Sequence, residues 1–79
     1  MTSPAPDGID TIEIRDSMIR LGQLLKLASL ADDGVEATEL IKNGLVKVNG
    51  DIEDRRGRQL TAGDVVSVNG QSVRITAAG

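Results

Sequence analysis

Seventy-nine residues without Phe, Tyr, Trp, Cys or His predict one small domain with a core of Leu, Ile, Val and Ala, and they exclude a disulfide framework and thiolate or imidazole metal sites. The commonest general base and the commonest nucleophile are missing with them, and a carboxylate-only enzyme would need a cleft that so short a chain has little material to build, so the protein is expected not to be an enzyme and to need no cofactor. The net charge is −3 but unevenly spread: residues 1–41 hold three bases against eight acids, and residues 42–79 hold six against four.

In chain order, residues 1–8 (MTSPAPDG) are Pro-rich and polar and predict a disordered tail, with the domain running over 9–79. Ile12 and Ile14 alternate with Glu13, a short strand over 9–14. Leu21, Leu24, Leu25 and Ala28 then recur at i, i+3, i+4 and i+7, one face of a helix, with Leu27 and Leu30 widening the stripe. Asp33 followed by Glu36 has capping-box spacing and opens a second helix whose stripe is Ala37, Leu40 and Ile41. Gly44 stands where a left-handed residue ends that helix.

Beyond Gly44 the period changes to two. Leu45-Val46-Lys47-Val48 runs into Asn49-Gly50, the strongest two-residue hairpin signal. Leu60 opens a turn through Thr61-Ala62-Gly63-Asp64 into Val65–Val68, and Asn69-Gly70 turns once more into 72–76. The expected class is α+β: a two-helix hairpin on a small, mostly antiparallel sheet of short strands. No signal peptide or long apolar run is present, which with the missing cysteines predicts a cytoplasmic protein.

Arg55, Arg56 and Arg58 are the sharpest functional feature. Guanidinium forks match phosphate oxygens, and Gly57 between them lets the backbone bend or approach closely. The competing reading is a solvated loop neutralised by Glu53 and Asp54. Lys47 projects from the ribbon opposite Val46 and Val48, as a phosphate contact or a solubilising charge. Lys42 falls in a last helical turn, where a cation favours the helix dipole without any ligand. Lys26 points away from the apolar stripe and fits either role. The acids Asp32, Asp33, Glu36 and Glu39 fit a cap and a solvated face better than a metal site, for want of convergent ligands.

The run from Leu40 to Gly50, LIKNGLVKVNG, resembles the signature of the alpha-L RNA-binding domain named after ribosomal protein S-four. Arg20-Leu21 sits where that family's first helix begins, and Leu60 through Val68 is similar to its closing strand. The likeness covers about residues 18–76, and the Arg55-Arg56-Gly57-Arg58 loop resembles that of small stand-alone bacterial members. Other members carry the domain as an appendage on pseudouridine synthases, tyrosyl-tRNA synthetases and ribosomal proteins. The resemblance implies a non-enzymatic module that docks structured RNA, ribosomal or transfer, through Arg55, Arg56 and Arg58, with Lys47, Arg20, Lys26 and Lys42 flanking. Arg20 has a second reading as an ion pair with Asp16.

Two departures matter: the second helix starts with acids where many members have Ser and Arg, and Gly22 stands where an acidic residue is usual. The acidic helix keeps open a protein-interaction adaptor with little RNA affinity. A ubiquitin-like sulfur carrier, similar around Leu60–Val66, would end in Gly-Gly, whereas this chain ends Ala77-Ala78-Gly79. With no aromatic side chain on which bases could stack, recognition by shape and backbone of a folded or A-form RNA is expected.

Overall fold

The computed structural model describes residues 9–78; the tail expected over 1–8 lies outside them. The alternating segment forms β1 (Ile9–Ile14), and the short β2 (Ile19–Arg20) leads directly into α1 (Leu21–Leu27). Leu21, Leu24 and Leu25 are fully buried on the expected stripe. The helix stops sooner than that stripe implies. Ser29 adopts φ 60°, and the amides of Ser29 and Leu30 donate back to the carbonyls of Lys26 and Leu25 at 3.1 and 2.9 Å. This is a Schellman ending with serine where glycine is usual, which leaves Leu27 exposed and Leu30 only half-buried.

Helix α2 (Gly34–Lys42) starts on the Asp33 cap, whose Oδ1 accepts from the Glu36 amide at 2.8 Å. Glu36 Oε1 reaches back to the amide of Asp32 at 2.9 Å, one residue earlier than in the standard capping box. At the other end Gly44 has φ 72°, and the amides of Gly44 and Leu45 donate to Ile41 and Leu40, a second Schellman ending. Strands β3 (Val46–Val48) and β4 (Asp51–Ile52) follow, closed by Asn49 and Gly50 at φ 53° and 89°. Both central residues are in the left-handed region, as a two-residue hairpin of this twist requires.

The chain continues through β5 (Gln59–Leu60), β6 (Val65–Val68) and β7 (Gln71–Ala77), with Asn69-Gly70 closing the last hairpin at φ 51° and 82°. The main sheet has the order β1-β7-β6-β3-β4; β1 and β7 are parallel and the other pairs antiparallel. Strands β2 and β5 form a separate antiparallel pair. Asn49 ties two turns together: its Oδ1 accepts from the Val65 amide and its Nδ2 donates to Asp64 Oδ1.

One face of the sheet contributes Ile14, Val46, Val48, Val66, Val68, Val73 and Ile75 to the core, and the helices cover it with Leu21, Leu24, Leu25, Ala37 and Ile41. Each fully buried Leu or Ile contributes roughly 1.5–3 kcal/mol, so an aliphatic core suffices without aromatics. The opposite face carries Lys47, Ser67, Ser72 and Arg74.

Candidate nucleic-acid interface

The hairpin register decides the fate of Glu53. Lys47 stands opposite Ile52 with both side chains exposed, and the Glu53 amide continues the ladder by donating to Val46 C=O at 3.0 Å. Strand alternation therefore turns Glu53 to the core side, next to buried Val46. Glu53 is only 6% exposed, and a carboxylate so placed needs partners.

The arginine loop supplies them. The backbone amide and Nε of Arg55 both donate to Glu53 Oε2 at 3.1 Å, Arg55 Nη2 donates to Oε1 at 3.4 Å, and Arg58 Nη1 donates to Oε1 at 2.7 Å. The hydrogen bonds from Arg55 and then Arg58 hold the Glu53 carboxyl down to about 2 from an ordinary 4.5, against the upward push of burial. The same contact raises the pKa of Arg55. The cover over Glu53 is thin, because the Arg55 and Arg58 side chains are themselves 73% and 37% exposed. Each guanidinium has five N–H donors, so both keep some that Glu53 does not use.

The loop is also fastened to the start of α1. The amides of Leu21 and Gly22 are among the orphan donors of a helix N-terminus; they donate to the carbonyls of Arg58 and Arg56 at 2.9 and 3.1 Å, while Arg20 caps nothing with its side chain. Arg56 then lies across Gly22. A Cβ added there would stand 2.9 Å from Arg56 Cγ, and one added at Gly34 would stand 3.5 Å from Arg56 Nη2. Arg56 thus spans from the start of α1 to the start of α2. Among the described residues Arg56 makes no ion pair, and neither does Asp54.

Pairing of β2 with β5 sets Arg20 opposite Gln59, at the end of the loop. Arg20, Gly22, Gln23, Arg56 and Gly57 line one shallow concavity; Arg55, Gly57, Arg58 and Gln59 line another, and Gly57 borders both. The structure therefore gathers Arg20, Arg55, Arg56 and Arg58 into one cationic surface. Among the described residues Arg20 has no ion pair with Asp16. Lys26 sits further along α1 in a depression with Asp16, Met18 and Leu27, and Gln23 borders both this depression and the first concavity.

Lys42 and Lys47 are exposed but line neither concavity. Lys42 lies in the last turn of α2, and Lys47 borders a depression with Gly44, Ser67 and Asn69 on the far side of the sheet. Of the acidic set, Asp33 and Glu36 hold the start of α2, and Asp33 and Glu39 share a depression with Arg56.

Glu53 is more than the neutralising acid that the sequence suggests, and Gln23 joins the site with no signal of its own in the sequence. The signal for Glu53 was present: a two-residue turn at Asn49-Gly50 fixes Val48 opposite Asp51, and counting outward places Glu53 beside Val46.

Comparisons with known proteins bear on the family and the fold. The S4 domain model matches residues 12–76. The Bacillus subtilis (strain 168) protein named "Probable ribosome maturation protein RlbA" is 44% identical over 59 residues, 75% of this chain and 83% of its own length. YbcJ of Escherichia coli (strain K12) is 39% identical over 59 residues, 75% of this chain and 84% of its own. Its solution structure, described as revealing an alfa-L motif involved in RNA-binding, matches with a TM-score of 0.66 at 30% identity, over 98% of this chain and 96% of that one. The 30S ribosomal protein S4e from Thermoplasma acidophilum matches with a TM-score of 0.59 at 31% identity, over 76% of this chain and 32% of that longer protein. With its two helices, its small mostly antiparallel sheet and a family match over residues 12–76, the chain belongs to the S4 domain family.

Proposed function

We propose that this protein is a non-enzymatic, cytoplasmic module, a single domain over residues 9–79, that docks structured RNA of the ribosomal or transfer class through phosphate contacts of the 55–58 loop. The observation that carries the reading is Arg56: a cation without a carboxylate partner among the described residues, on a loop bonded to the start of α1, with Arg20, Arg55 and Arg58 around it. A fixed cationic surface of this kind suits a regularly spaced phosphate backbone. Membership of the S4 family and the RNA-binding description of YbcJ support the same partner. Lys26 extends the surface along α1, while Lys42 and Lys47 make outlying contacts with a large RNA.

The test is binding of folded RNAs, an A-form hairpin and transfer RNA among them, across a salt series with duplex DNA as competitor. Four arginine contacts give a log–log salt slope of about −4. Replacing Arg55, Arg56 and Arg58 together by Ala should abolish most of the binding and flatten that slope. Absence of saturable binding by the unaltered protein at low salt would sink the reading and favour a protein-interaction adaptor working through the acidic face of α2.

A further inference from the structure

We infer that Glu53, although an anion in the middle of a cationic surface, is a positioning residue for RNA binding: it holds Arg55 and Arg58 in the geometry that meets phosphate. The inference rests on the RNA-binding reading and goes beyond it, because it assigns a favourable role to a group whose charge alone opposes the ligand.

Arginine side chains free in solvent lose rotamer entropy when they close on a ligand, and each one ordered beforehand spares that loss. Here both oxygens of one carboxylate are occupied by two arginines, at 3.1 Å for Arg55 Nε and 2.7 Å for Arg58 Nη1. Glu53 cannot readily follow its partners elsewhere, because its amide is bonded to Val46 and its side chain is turned to the core side by the β3–β4 register. Asp54, one residue on and exposed, makes no ion pair among the described residues. The clamp is thus a property of the Glu53 position and not of acidity in general. The Arg56 side chain lies over Gly22 and makes no ion pair with Glu53, so the clamp acts on the other two loop arginines.

Simple charge counting and this inference predict opposite signs for one substitution. Glu53→Gln removes a negative charge, which by Coulomb attraction alone should tighten RNA binding. Loss of the clamp should instead weaken binding of an A-form RNA hairpin by about three- to tenfold.

A thermodynamic cycle separates the causes. Glu53→Gln is placed both in the natural protein and in the Arg55→Ala/Arg58→Ala double variant, with folding of all four checked by amide NMR spectra. Weakening in the natural background together with unchanged or tighter binding in the double variant would establish positioning through the two arginines. Equal weakening in both backgrounds would mean a merely structural role and overturn the inference; tightening in both would overturn it in favour of plain charge. If the natural protein fails to bind RNA at low salt, the proposed function falls and this inference with it. A readout without RNA stands beside these: the Arg55 Nε–H signal should exchange slowly with solvent and lose that protection in Glu53→Gln. Equal exchange rates in the unaltered protein and in Glu53→Gln would overturn the clamp directly.

Discussion

Arg56 crosses Gly22 so closely that its Cγ lies 2.9 Å, and its Nε 3.0 Å, from where a Cβ on residue 22 would stand. The contact joins a loop cation to the first turn of α1, and it exists because residue 22 has no side chain. Gly22→Ala should therefore separate stability from binding. Alanine favours the helix by a few tenths to about 1 kcal/mol over glycine, while moving Arg56 Cγ out of a 2.9 Å contact opposes that gain, so thermal unfolding should shift little. Arg56 must swing off its seat, and affinity for an A-form RNA hairpin should fall several-fold. Unchanged RNA affinity with intact folding would show that the seat of Arg56 does not matter to binding.

The folded-state pKa of Glu53 is depressed, to about 2 from 4.5, by its bonds to Arg55 and Arg58. Between those values the unfolded chain binds more protons than the folded one, so stability falls as pH falls. The contribution is complete above about pH 4.5 and is lost on the way down to pH 2. Its ceiling is on the order of 3 kcal/mol, lowered by solvent around the two exposed arginines. Urea unfolding at a series of pH values should show the natural protein more stable than Glu53→Gln near pH 6, with the gap closing toward pH 2. A gap that persists unchanged at pH 2 would rule out the ion pair as its source.

These two residues also mark where the sequence was and was not legible. Asn49-Gly50 and Gly44 could be read directly, because a positive φ at a fixed place leaves few residue choices. The stripe Leu21, Leu24, Leu25 was legible from its period. The early end of α1 was not, because Ser29 in the left-handed region carries no glycine-like signal. Nor was the pairing of β1 with β7, or of Arg20 with Gln59, since such partners lie far apart in sequence. The arginine loop itself was visible at once. Its organisation was hidden, because the burial of Glu53 depends on register and the seat of Arg56 depends on a glycine more than thirty residues away.

Ser29 supplies a prediction of its own. A non-glycine residue at φ 60° costs roughly 1–2 kcal/mol in the folded state. Glycine relieves this but loses more chain entropy on folding. Ser29→Gly should on balance stabilise by up to about 1 kcal/mol, which for a chain of this size raises Tm by no more than about 4–8 °C. Ser29 lines none of the depressions around the arginine loop, so RNA affinity should not change. A lowered Tm would mean that the serine is held there by something other than the Schellman ending.

On the proposed docking mode the acidic start of α2 borders the RNA, since Asp33 and Glu39 share a depression with Arg56. Asp33 nevertheless has a structural duty, accepting the Glu36 amide at 2.8 Å. Asparagine caps a helix about as well as aspartate, so Asp33→Asn with Glu39→Gln removes two charges while keeping the cap. Exposed charges near a ligand act through a screened field, with a Debye length of about 10 Å at 0.1 M salt. The double variant should fold with nearly unchanged stability and bind RNA about two- to fivefold more tightly at low salt. The advantage should shrink as salt rises, and Asp33→Ala should lose about 1 kcal/mol of stability from the missing cap. If the charge-neutral pair instead weakens RNA binding at every salt concentration, Asp33 and Glu39 take part in recognition, and the cationic loop is only half of the interface.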